Sequence, residues 1–445
     1  MQTLPWLQAA AGSPAHSLPW YESLSRQPGA ALLAALLSLV VLVMLTYGAR
    51  HALFALSRAL GRQRHPCIDV GTAQWPPVTV FIAAHNEERV IADCIVALLG
   101  SDYPRERLRI VPVNDRSTDG TRAIIDRYAA DFPERIVPFH RVGGKAGKAA
   151  ALKDALALAS GDIVIVFDAD YVPPKGLLRR LVAPFFDPEV GAVMGRVVPA
   201  NAGTNLLTRL LDLERSAGYQ VGQQARMNLG GAPQYGGTVG GVRLSAVQAV
   251  GGWHDDTLAE DTDITFRLLV GGWKTAYCNR AECYEEVPEE WPVRMRQLSR
   301  WAKGHNQVLY RCWRPLLASP FLTLRERIDG ILLLLVFVVP PLLLAGWILA
   351  LLLYYLGAGD MLTLFVPVLA VAAYGALGNF AAFLEMVVAV LLDGNARRIR
   401  LLPVNLLCFL VSLFTVTRAL GDSVLDAVLG RELVWHKTLR YRRPT

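Results

Sequence analysis

The chain has 445 residues, 53% of them hydrophobic and 19% charged, and its mean hydropathy of +0.32 is too apolar for an ordinary soluble protein. A net charge of +7 and a pI of about 9.1 bring nucleic acid to mind. The basic residues, however, crowd beside apolar stretches without interleaved aromatics, which excludes nucleic acid and points to anionic lipid headgroups. Its six cysteines form no CxxC pair, so neither structural zinc nor, in a reducing compartment, disulfides are expected.

Residues 27–49 carry no charge and as a helix would cross a hydrocarbon layer roughly 30 Å thick. The run begins too far in for a signal peptide and lacks a basic flank and a cleavage site, so a retained span over residues 28–50 is expected. Arg50, Arg58, Arg62 and Arg64 follow at once. The positive-inside rule then puts a tail of residues 1–27 outside the cytoplasm and a linker of residues 51–76 within it.

From residue 77 to 290 the composition is that of a soluble domain with short β-branched runs between helical stretches. Residues 78–83, 108–113, 136–139 and 163–167 read as strands. Residues 87–99 and 148–158 read as helices, and Ser117-Thr-Asp-Gly120 opens another with good capping chemistry. This βαβα order predicts a Rossmann-like, mostly parallel sheet with ligands at the carboxyl ends of its strands. The residues there are acidic: Asp115 after the second strand, Asp168-Ala-Asp170 after the fourth, and Glu260 with Asp261 beyond the glycine-rich Gly236-Gly-Thr-Val-Gly-Gly241. No GxGxxG opens the first turn, and Gly143-Gly-Lys-Ala-Gly-Lys148 lacks the spacing and hydroxyl of a P-loop, which argues against a dinucleotide oxidoreductase and a P-loop NTPase.

Residues 291–328 have the apolar and basic character of membrane-surface helices. Within the expected C-terminal membrane region, residues 329–430, residues 330–359 are uncharged and residues 361–392 are apolar apart from Glu385, each long enough to span. Residues 401–417 are marginal and would cross or lie re-entrant. Glu385 would either face a bundle interior or pair with a base near the headgroups, with Arg397 and Arg398 close in sequence. A basic tail, residues 431–445, is expected in the cytoplasm, with no regulatory domain after it.

Two carboxylates one residue apart at a strand end can hold Mg²⁺ or Mn²⁺ against a diphosphate, although a DxD alone is usually a pair of solvated loop acids. Over residues 78–307 the chain resembles the processive family-2 glycosyltransferases, which include cellulose, hyaluronan, chitin and mixed-linkage glucan synthases. The resemblance rests on Ala84-His-Asn-Glu-Glu88, Val113-Asn-Asp-Arg-Ser-Thr-Asp-Gly120, Gly147-Lys-Ala149, Asp168-Ala-Asp170, Ala259-Glu-Asp261 and Gln297-Leu-Ser-Arg-Trp301. It departs at Asn114, where the family has an acid, at Arg116, where it has glycine, and at Ala259, where it has threonine.

The resemblance implies a GT-A-type α/β catalytic domain between transmembrane helices, facing the cytoplasm from a bacterial-type inner membrane. It implies a UDP-sugar donor held by Glu87, Asp115, Lys148, Asp168, Gln297 and Arg300, with Asp168 and Asp170 on Mg²⁺ or Mn²⁺. Asp261 would be the general base, with Glu260 and Arg300 also catalytic, in one inverting displacement. Trp301, Gly237 and Thr238 would meet the acceptor, Trp301 by stacking on a sugar. The expected product is a growing β-linked polysaccharide that crosses the bilayer through the protein's own helices to export partners in the periplasm or outer membrane. Trp301-Ala-Lys-Gly-His-Asn-Gln307 is similar to glucan synthases and tilts the donor to UDP-glucose. UDP-N-acetylglucosamine, a transferase that glycosylates a membrane lipid, and a non-catalytic membrane subunit are the alternatives.

Overall fold

The computed structural model describes residues 28–66, 74–356 and 383–429. Helix α1 (Pro28–Leu60) comes first; its 33 residues extend roughly 50 Å at the α-helical rise. Then follow β1 (Val78–Ala84), α2 (Ile91–Leu99), β2 (Leu108–Asp115), α3 (Thr121–Asp131), β3 (Phe139–Arg141), α4 (Lys148–Ala155) and β4 (Ile163–Asp168). This is the expected alternation, and β1 pairs in parallel with both β2 and β4. Alternate residues of β1 serve opposite faces of the sheet. Val80 and Ile82 pack with Ile91 and Ile95 of α2, whereas Phe81 packs with Leu152 of α4.

Next come α5 (Leu177–Val182), β5 (Val190–Pro199), α6 (Leu206–Ser216), a π-helical stretch (Ala217–Gln223), α7 (Gln224–Leu229), β6 (Gly240–Arg243), α8 (Leu244–Ala249), α9 (Glu260–Val270) and β7 (Lys274–Glu285). The strand order is β3-β2-β1-β4-β6-β5-β7. The sheet is mixed, because β6 runs antiparallel to both β4 and β5. Its glycines permit that insertion: a Cβ on Gly240 would lie 2.4 Å from the Val193 carbonyl, and one on Gly241 2.4 Å from Ile165.

The remaining described elements are α10 (Trp291–Ala318), α11 (Leu324–Leu334), α12 (Val339–Tyr355), α13 (Phe383–Leu392) and α14 (Leu406–Leu429). Among the described residues two stretches, Gly29–Leu60 and Pro403–Asp426, are long and apolar enough to cross a membrane. In the stretch expected to span over residues 330–359, the described part is bent by 69° between Leu324–Phe337 and Val339–Tyr355, the geometry of a broken span or a re-entrant loop. Pro340 and Pro341 open α12, and prolines there cannot donate the backbone bonds that would continue α11. The marginal stretch over residues 401–417 runs on into a helix that reaches Leu429. Of the span expected over residues 361–392, α13 is the described part; residues 361–382, the tails expected at 1–27 and 431–445, and linker residues 67–73 lie outside the described residues. The five described cysteines are free and buried.

Candidate active site

Strand β1 lies between β2 and β4, so the connections leave it in opposite directions and open a crevice at the strand ends. A cavity of about 340 Å³ lies there. The loops after β1 and β2 are clipped together along its rim. Asn86, at a φ of 55°, accepts from Thr118 N at 2.7 Å and donates its own N–H to Ser117 Oγ at 2.9 Å. Glu88 Oε2 accepts from Gly120 N at 2.8 Å. Glu87 lines the cavity, and its N–H donates to Thr121 Oγ1 at 2.8 Å.

Asp115 also lines the cavity, held by three donors: Arg141 Nη1 at 2.5 Å, Arg116 Nε at 3.0 Å and Gly147 N at 2.9 Å. Arg116 has a φ of 56°, the left-handed region that explains why the resembled family has glycine there. In return its guanidinium fixes Asp115 and the Gly144 carbonyl. Arg141 was not foreseen as part of the site; it lies 26 residues beyond Asp115, and no local pattern marks it.

Where β4 ends, Lys148 Nζ lies 2.6 Å from Asp168 Oδ1, donates to the Gly237 carbonyl at 2.8 Å and stands 4.0 Å from Glu260. Burial opposes the charge on Lys148, but Asp168 and Glu260 outweigh it and raise its pKa. Thr238 Oγ1 accepts from Asp168 N at 3.2 Å. Gly237, at a φ of 72°, lets that loop pass the base candidate, since a Cβ there would lie 3.0 Å from Asp261 Cβ. Thr238 thus lines the cavity, while Gly237 serves it through its carbonyl and its lack of a side chain.

Glu260 and Asp261 open α9 and share the cavity wall. Asp261 Oδ1 accepts from Thr262 N at 2.7 Å. The Glu260 carboxyl is pushed up to about 7 by burial first and then by Asp261, against the pull of Lys148. A carboxyl that keeps its proton in the folded chain costs stability as pH rises from the ordinary carboxylate range through about 7, because the unfolded chain has already released that proton. Glu260→Gln is therefore expected to melt at a higher temperature than the unmodified chain near pH 8, by a few degrees. Near pH 5 the difference should shrink; parallel melting profiles across that range would refute the assignment.

Helix α10 carries the rest. Gln297, Arg300, Trp301 and His305 line the cavity, whereas Gly304 and Gln307 do not. Gly304 brings α10 against the loop before α9, where a Cβ would lie 2.6 Å from Ala259 Cβ, and Gln307 Oε1 accepts from Leu258 N at 3.1 Å. This part of the motif packs α10 against the loop that leads into Glu260 and Asp261. Gln297 accepts from Arg294 at 2.8 Å. Trp301, expected to stack on an acceptor sugar, lines the cavity with the guanidinium groups of Arg215 and Arg294 over its ring at 5.2 and 5.3 Å. His305, not foreseen as a site residue, is kept neutral by burial, which lowers its pKa to about 4.

Asp168 faces the cavity and Asp170 is 1% exposed behind it. No group of three or more His, Cys, Asp or Glu able to hold a metal occurs among the described residues. Two hard carboxylates nonetheless suit Mg²⁺ or Mn²⁺ that takes its remaining oxygen ligands from a diphosphate and water, so the donor set fits such an ion.

The far end of the cavity lies among the apolar helices. Arg50, His51 and Phe54 of α1, Leu333 of α11, Val336 between α11 and α12, and Glu385 of α13 line it. Glu385 is fully buried, with Oε1 2.9 Å from His51 Nδ1. It is thus both interior and paired with a base, and that base is His51 of α1 rather than Arg397 or Arg398.

Residues 76–304, just over half of the chain, match the family model described as Glycosyltransferase like family 2. Over 258 residues the chain is 36% identical to "Probable glycosyltransferase YdaM" of Bacillus subtilis (strain 168), covering 57% of this chain and 60% of that one. Over 252 residues it is 37% identical to the beta-monoglucosyldiacylglycerol synthase of Synechocystis sp., covering 57% of this chain and 52% of that one. The match thus spans only between half and three fifths of these relatives' length. A mannosyltransferase from Pyrobaculum calidifontis, solved in complex with GDP-Man and Mn²⁺, shares the fold at 22% identity and a TM-score of 0.54, covering 81% of this chain and 97% of that one.

Proposed function

Because the chain belongs to glycosyltransferase family 2, we propose that it moves a hexosyl group from a nucleotide-sugar donor to a hydroxyl of a membrane glycerolipid. The observation that carries this reading is the course of the cavity. Its lining joins Asp115, Lys148, Asp168 and Asp261 of the catalytic domain to Phe54, Leu333 and Val336 of the apolar helices, whose side chains suit acyl chains. With α1 and α14 read as spans, a lipid would reach Asp261 from the bilayer and the donor from the cytoplasm.

The expectation of a processive synthase, with a polysaccharide acceptor and export partners, gives way to its lipid-glycosylating alternative. The Synechocystis relative is named for a glucosyl lipid. The described helices at the cavity's end are joined by buried polar contacts, the Arg50–Asp329 ion pair and the His51–Glu385 hydrogen bond, which favour a stop for a headgroup over a hydrated exit for a polymer.

In the displacement, Asp261 takes the proton of the acceptor hydroxyl as its oxygen bonds to the anomeric carbon. The bond from that carbon to the phosphate oxygen breaks, and its electron pair leaves with the nucleoside diphosphate. One displacement inverts the anomeric centre. Lys148 and Arg300 neutralise the departing charge, Arg300 with a fork suited to phosphate. A divalent cation held by Asp168 and Asp170 would add Lewis-acid stabilisation of the same leaving group. Asp115 and Glu87 would orient the nucleoside end.

The purified protein in phosphatidylcholine vesicles bearing diacylglycerol and glucosyl-diacylglycerol, supplied with radiolabelled UDP-glucose and Mn²⁺, is expected to put label into a lipid soluble in organic solvent. Label confined to a water-soluble polymer digestible by glucanase would return the processive reading.

A further inference from the structure

The carboxylate of Glu385 is only half used. Its Oε1 pairs with His51, and its Oε2 is buried without a hydrogen-bond partner among the described residues. The nearby cations serve another acid. Arg50 donates to Asp329 Oδ1 from Nε at 3.2 Å and Nη2 at 2.8 Å, and Arg226 Nε lies 3.3 Å from Asp329 Oδ2. A carboxylate oxygen left bare in an apolar bundle costs free energy, and the cost is greatest where no water replaces the missing donor. Since Glu385 lines the cavity, a hydroxyl on a bound ligand would remove that cost. Phe54, Leu333 and Val336 border the same end, so the ligand that fits is amphiphilic.

Asp261 takes the hydroxyl that is glycosylated. Glu385 therefore calls for a second one. We propose that His51 and Glu385 form a headgroup site for a polyol lipid, with Glu385 Oε2 accepting from a hydroxyl other than the one that receives the sugar. The inference rests on the lipid reading above and narrows it: the preferred acceptor has a hydroxyl-rich headgroup, such as an already glycosylated glycerolipid, and a lipid with one free hydroxyl is a poor acceptor. His51 engages Oε1 and leaves Oε2 for the ligand.

The test compares two acceptors that share their acyl chains, dioleoylglycerol and glucosyl-dioleoylglycerol, each in phosphatidylcholine vesicles with the full chain and radiolabelled UDP-glucose. The unmodified protein is expected to favour the glucosyl lipid by at least about tenfold in kcat/KM, the scale of a hydrogen bond to a charged group. In Glu385→Leu that ratio is expected to fall toward one, and in Glu385→Gln, which keeps an acceptor oxygen without the charge, to lie between. Equal or better transfer to dioleoylglycerol by the unmodified protein overturns the proposal whether or not the variants fold, and leaves lipid glycosylation standing. A folded Glu385→Leu that keeps the full ratio overturns it as well. Label in neither lipid while donor is consumed defeats the lipid reading itself.

Discussion

Asp261→Asn is expected to bind UDP as the unmodified chain does and to lose transfer by at least about two orders of magnitude, the usual scale of a missing general base. The substitution is nearly isosteric. Asparagine keeps a carbonyl oxygen that can accept from Thr262 N, the bond that now fixes Asp261 Oδ1 at 2.7 Å, so the first turn of α9 should hold. What it removes is the ability to take a proton from the acceptor. Calorimetric titration with UDP beside a transfer assay separates the outcomes: if UDP affinity falls as far as turnover, Asp261 is structural and the base is another group.

Asp168→Ala is expected to lower transfer by roughly two to three orders of magnitude, the scale reported when one electrostatic stabiliser of a transition state is removed. Two effects add. The site loses a hard oxygen ligand for Mg²⁺ or Mn²⁺, and Lys148 loses the carboxylate 2.6 Å from its ammonium group. Freed from Asp168, Lys148 would be drawn to Glu260, now 4.0 Å away, and would no longer face the diphosphate. Excess EDTA should reduce the unmodified protein to a similar level. Electron paramagnetic resonance of added Mn²⁺ with UDP gives a reading independent of turnover. A bound-Mn²⁺ signal unchanged by Asp168→Ala, or full activity in chelator, would remove Asp168 from metal binding.

The first half of the catalytic domain was legible in the sequence because its signals are local. The strands β1, β2 and β4 are largely buried and read as mostly apolar runs, and β2 and β4 end at Asp115 and Asp168, which the fold brings to the crevice. Asp115 and Asp168 were found because they end two of those strands, Lys148 and Asp261 through the resemblance of their motifs to the family's, and all four line one cavity. Only the tertiary structure decided what depends on surfaces distant in sequence. Reversal of β6 follows from glycines that let it slip between β4 and β5, a fit that no periodicity announces. Arg141 reaches Asp115 from the next strand, and Trp301 has its ring under two arginines from different helices. His51 and Glu385 are 334 residues apart; each is a polar residue in or beside an apolar helix, and hydropathy alone does not say which faces of two such helices meet. Composition determined that the chain has helices apolar enough for a membrane, whereas the packing of α1 against α11 and α13 determined that the cavity ends among them, because burying a carboxylate there requires a partner that only the fold supplies.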